Sequence, residues 1–79
     1  EENSGLLIYP NPATNVLNVV SDSYGINTIS IYSINGQEVL TAEVNAGQVK
    51  LDISDLSQGL YIIDITSNNI TTKRMFNVE

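Results

Sequence analysis

The side chains able to do chemistry in this chain are carboxylates, hydroxyls and three cations, for it contains neither His nor Cys. A Ser nucleophile therefore has no imidazole to take its proton, and amine-based activation has only Lys50 and Lys73 to draw on. Carboxylates stand at Asp22, Glu38, Glu43, Asp52, Asp55 and Asp64. Two flanking a cleft suffice for glycoside hydrolysis, but a chain of 79 residues has little room for a cleft that desolvates a sugar ring. No catalytic residue is assigned. Calcium takes hard oxygen donors such as Asp52, Asp55 and the Asn-rich turns would supply. Their spacing matches no calcium loop, and Asn and Asp already suit turns for conformational reasons. No metal or cofactor is assigned either. Asn69-Ile70-Thr71 has the form of an N-glycosylation acceptor, although a turn that needs Asn accounts for the same residue.

The net charge of −6, with only Lys50, Lys73 and Arg74 as cations, disfavours whole classes of partner. A nucleic-acid binder needs a basic face to neutralise phosphates, and an anionic membrane surface makes the same demand. No apolar run approaches the roughly 20 residues of a membrane helix, so direct membrane insertion is not expected. Without Cys no disulfide supplements a small core, which points to a cytosolic or bacterial-surface protein. Residues 1–5, Glu-Glu-Asn-Ser-Gly, read as the remnant of a polar linker, and residues 6–79 as one domain.

The elements that must position these side chains are strands. Gly59 closes a polar turn, and Leu60 to Thr66 follows with Tyr61, Ile63 and Ile65 on one face and Leu60 and Ile62 on the other. A strand apolar on both faces belongs in the interior of a sheet. Tyr61 stands where the Tyr of a sandwich corner turns inward and bonds back to the backbone upstream; the alternative is an ordinary core aromatic with its hydroxyl at the surface.

Leu6 to Tyr9 is a short strand that stops at Pro10. Pro10-Asn11-Pro12 lacks two backbone donors and is expected to be a stiff extended connector to the strand Val16 to Val20. After a polar loop from Ser21 to Gly25, Ile26 to Ile34 alternates, with Ile29 and Ile31 on one face. Asn35-Gly36 predicts a type I′ hairpin turn, and Gln37 to Val44 the returning strand, its buried face ambiguous. A turn at Asn45-Ala46-Gly47 leads to Gln48 to Ile53, with Val49, Leu51 and Ile53 inward. Ser67-Asn68-Asn69 turns the chain into a last strand, Ile70 to Val78. About seven short strands with no helical period predict an all-β, immunoglobulin-like antiparallel sandwich, with a small closed barrel as the other topology.

Four stretches together carry a family resemblance: Tyr9-Pro10-Asn11-Pro12-Ala13, Ile29 to Val39 with its Asn35-Gly36 turn, Asp55 to Tyr61, and Thr72-Lys73-Arg74-Met75-Phe76. In this order and spacing, from about Leu7 to Val78, the chain resembles the type A C-terminal sorting domain of the type IX secretion system of Bacteroidota. The resemblance implies a non-catalytic module of immunoglobulin-like fold behind an N-terminally fused cargo. A Sec signal takes such a precursor to the periplasm, outer-membrane type IX components export it, and a sortase-like peptidase usually removes the domain. The cargo is then released or attached at the cell surface. The resemblance also implies that Lys73, Arg74, Met75, Phe76, Asn77 and Val78 form the stretch recognised by the machinery. Pro10, Asn11, Pro12, Asn35, Gly36, Gly59 and Tyr61 would be structural members of the motif. Asp64 stands where many relatives carry a basic residue, and Glu79 where a basic or apolar residue is common.

Two further readings remain beside this one. Lys73 is a charge that keeps an edge strand from pairing with other chains, or part of a recognised basic face. A carbohydrate-binding or adhesive module would need exposed aromatics for sugar rings to stack on, and the candidates are Tyr9, Tyr24 and Tyr32.

Overall fold

The computed structural model describes residues 5–21 and 25–79. Residues 1–4 of the expected linker, together with Asp22 and Tyr24 of the expected polar loop, lie outside the described residues. The strands are β1 (Leu6–Tyr9), β2 (Val16–Ser21), β3 (Ile26–Ser33), β4 (Glu38–Ala46), β5 (Gln48–Asp52), β6 (Gly59–Ser67) and β7 (Ile70–Val78). They form two antiparallel sheets, one ordered β1-β2-β5 and the other β4-β3-β6-β7. This is an open immunoglobulin-like sandwich, and the all-β expectation holds. The fourth strand stands beside β3 in the larger sheet, so β4, like β7, is an edge.

Alternation decides which side chains meet between the sheets. Leu17 and Val19 of β2, Ile29 and Ile31 of β3, Ile63 and Ile65 of β6 and Phe76 and Val78 of β7 are buried together with Ile26, Leu51, Ile53, Tyr61 and Ala13. The sequence left the face of β4 open because Val39 and Leu40 are both apolar. A register shift between Ile31 and Tyr32 resolves it: Leu40 and Val44 pack on the core and Val39 is exposed. β6 lies inside its sheet, between β3 and β7. Its second apolar face is open, however, with Leu60 38% exposed, so the double-sided pattern reflects position in the sheet and not a covering layer.

The two hairpin turns differ. Asn68 and Asn69 both have positive φ (53° and 67°), the geometry of a two-residue type I′ turn, which Asn tolerates better than other side chains. At the β3–β4 turn the sequence expectation fails. Of Asn35 and Gly36 only Gly36 has positive φ (91°), and its amide donates to Ser33 O at 2.9 Å. The loop is therefore three residues long, Ile34 to Gly36, with the left-handed residue last. The Ser33 hydroxyl donates to Asn35 Oδ1, which gives Asn35 a local partner without positive φ. At Asn45-Ala46-Gly47 the chain does not make a hairpin; it crosses from one sheet to the other, and Asn45 (φ 54°) and Ala46 are still part of β4.

Candidate functional site

The β7 strand has one neighbour. Its register with β6 runs from Ser67 opposite Ile70 to Gly59 opposite Val78. The two-residue turn makes Ser67 and Ile70 a hydrogen-bonded pair, so alternate residues Thr71, Lys73, Met75 and Asn77 turn their N–H and C=O away from β6. The same residues carry their side chains on the outer face of the sheet. Lys73 Nζ donates to Asp64 Oδ1 at 2.8 Å, directly across the strand pair. Asp64 thus answers Lys73, a cross-strand pairing of the kind that steadies a sheet by fractions of a kcal/mol. Ser30 and Thr41 share a 3.3 Å hydroxyl contact in the same row, and Tyr32, Ile62 and Met75 form the next. Met75 is 57% exposed.

The six-residue recognition stretch is not one surface. Phe76 and Val78 point into the sandwich and are buried, because their Cβ atoms lie on the opposite face from Lys73, Met75 and Asn77. A partner of the folded domain can touch Lys73, Met75 and Asn77, while Phe76 and Val78 anchor the strand from beneath. Arg74 shares their face but reaches out beside β1, and its Nη1 donates to Lys73 O at 3.3 Å.

The Pro10-Asn11-Pro12 element departs from the expected extended connector. Both X–Pro bonds, Tyr9–Pro10 and Asn11–Pro12, are cis, and the segment bends. The bend carries residues 11–13 to the outer edge of β7. Asn77 N–H donates to Asn11 Oδ1 at 3.0 Å, Ala13 N–H donates to Asn77 O at 2.8 Å, and Glu79 N–H donates to Ala13 O at 2.8 Å. Ala13 pairs in parallel with Val78 and is fully buried. Sequence reasoning did not place Ala13 or the Asn11 side chain at this strand. The signal was present in the two prolines, whose missing donors exclude them from the ladder and leave Asn11 and Ala13 to make the bonds.

The remaining motif residues serve the turn between β5 and β6. Tyr61 is buried, lies 5.8 Å centroid to centroid from Phe76, and donates its hydroxyl to Ser57 O at 2.7 Å. This is the corner geometry. Gly59 has φ +149°, a conformation that L side chains rarely adopt. Asp52 Oδ1 accepts from the Ser54 hydroxyl at 2.7 Å and the Ser54 amide at 3.0 Å. Those two bonds, the hydroxyl first, hold the Asp52 carboxyl below its usual pKa. Tyr9 and Tyr32, the described members of the aromatic set, stand on different sheets and cannot form one platform.

The matches with known proteins follow this geometry closely. A family model described as "Secretion system C-terminal sorting domain" matches residues 7–79. Beta-agarase D of Zobellia galactanivorans is 38% identical over 61 residues, which cover 77% of this chain and 12% of that protein. Among solved structures, PorZ, described as an essential surface component of the type-IX secretion system of Porphyromonas gingivalis, is similar over 95% of this chain and 11% of its own. The TM-score is 0.76 at 19% identity, a likeness of fold. The chain thus spans about an eighth or less of the proteins it matches.

Proposed function

The chain belongs to the family of secretion system C-terminal sorting domains, and from that membership we propose that it is a non-catalytic signal that directs an N-terminally fused cargo across the outer membrane through the type IX secretion system. The observation that carries the reading is the family match along residues 7–79. It is supported by the exposed outer side of β7, which presents Lys73, Met75 and Asn77 on a finished fold. The absence of His and Cys fits a module that binds and does no chemistry. Removal by a sortase-like peptidase and attachment or release of the cargo at the cell surface complete the proposed sequence of events.

The test is a fluorescent protein carrying a Sec signal and followed by residues 1–79, expressed in a host that has the secretion system. Fluorescence in the medium or on the surface is the expected result. Retention of a folded fusion in the periplasm overturns the reading. In the same host Lys73→Ala with Arg74→Ala separates the two roles of the cations. Recognition predicts a folded domain and reduced export. The edge-protection role predicts normal export and a purified protein more prone to aggregate. Exposed charges move stability by no more than about 0.5 kcal/mol, so folding is not expected to confuse the result.

A further inference from the structure

The outer edge of β7 is closed at one end and open at the other. Asn11 and Ala13 take both backbone groups of Asn77, and they show what this edge accepts: another backbone, in register. Thr71, Lys73 and Met75 turn the same groups outward above it, where β7 has no neighbouring strand. Beside this stretch, between the edges β7 and β1, runs an open groove of about 300 Å³ lined by Leu6, Leu7, Ile8, Asn11, Arg74 and Met75. Leu7 is 61% and Met75 57% exposed, so the walls are apolar and uncovered.

We propose that the β7 edge from Thr71 to Met75 is a strand-addition site that takes a short, extended, acidic segment of a partner protein, continuing the pairing that Ala13 begins. This rests on the reading of the chain as a sorting signal, and the partner is then a component of the export machinery. Main-chain bonds to Thr71, Lys73 and Met75 supply the affinity, and the groove receives the side chains that alternate towards it. The length is set by the clasp, since beyond Met75 the edge is occupied. The acidic character follows from charge. Lys73 and Arg74 are two of three cations in a chain of net charge −6, and they lie side by side at this edge. Lys73 is held by Asp64, so Arg74 is the cation lining the groove. Its 3.3 Å bond to Lys73 O is long, hence weak, and an incoming amide replaces it while a carboxylate takes the guanidinium.

The test compares reporter fusions of the full chain carrying Met75→Ala, Met75→Pro, Arg74→Lys and Arg74→Glu with the unaltered fusion. Proline at 75 removes an N–H that points outward, a place where edge strands tolerate it. Met75→Ala and Arg74→Lys are expected to export normally. Met75→Pro and Arg74→Glu are expected to lose about tenfold or more, the scale of one lost backbone bond or one reversed charge contact, with fusion accumulating in the periplasm. Thermal unfolding of the purified variants establishes that they fold. If Met75→Pro does not, Thr71→Pro tests the same edge. Normal export of a folded edge-proline variant overturns strand addition, and normal export of Arg74→Glu overturns the acidic partner. Failure of the unaltered fusion to leave the periplasm refutes the sorting reading itself.

Discussion

Tyr61 ties a turn to a strand with one hydroxyl. Its 2.7 Å bond to Ser57 O is part-buried, so removal leaves a carbonyl that water reaches poorly. Tyr61→Phe keeps the ring contact with Phe76 and is expected to cost about 0.5–1.5 kcal/mol, read as a lower denaturation midpoint with unchanged slope. An unchanged midpoint would show that the bond contributes nothing. Asp52 offers a titration at the same scale. Its folded pKa is depressed, so its stabilising contribution is present above the ordinary carboxylate value and is lost as pH falls through the folded one. Ser54→Ala removes the hydroxyl, the larger cause, and is expected to raise the Asp52 pKa towards its usual value in an NMR titration. A curve that does not move would assign the depression to another source.

At the scale of elements, the join between the Pro10-Asn11-Pro12 bend and β7 makes the clearest demand on single side chains. Asn11→Ala leaves Asn77 N–H without its printed acceptor and is expected to destabilise by about 1 kcal/mol, with faster hydrogen exchange at the Asn77 amide. Asn11→Asp keeps an acceptor oxygen and is expected to retain the protection. Equal exchange in all three proteins would mean that the bond does not persist in solution. The strands themselves were legible because alternation is a local property: Leu17 and Val19, Ile29 and Ile31, and Ile63 and Ile65 face the core as their spacing requires. The turn at Asn68-Asn69 was legible for the same reason. What sequence did not yield depended on partners far along the chain. Asn11 and Asn77 are 66 residues apart, and nothing near either one announces the other. The Asn35-Gly36 turn failed on length, since the dipeptide fits a two-residue and a three-residue loop alike, and the neighbouring register shift selects between them. The recognition stretch failed on periodicity. A contiguous motif of six residues straddles both faces of a strand, and only one face can meet a partner.

The whole molecule is small enough that its core has little redundancy. A chain of this length is expected to be stable by about 4–12 kcal/mol, and Ile→Ala at a fully buried site costs about 2–5 kcal/mol. Ile63→Ala, at 0% exposure in an interior strand, is therefore expected to leave a domain close to unfolding at 37 °C, visible as a collapse of the guanidinium midpoint. A loss below about 1 kcal/mol would mean that the sheets close around the vacancy more readily than packed cores do. The pairing of Ala13 with Val78 has a kinetic consequence as well. Synthesis delivers β7 after every other strand, and β7 supplies both Phe76 for the core and the edge on which the bend near residue 11 docks. Contacts of such wide sequence separation close late, because the intervening loop entropy must be overcome before they contribute. A nascent or partly threaded chain that lacks its last strand has no way to complete this sandwich. The domain is built to stay unfolded, and so able to pass through a narrow channel, until the final residues are in hand.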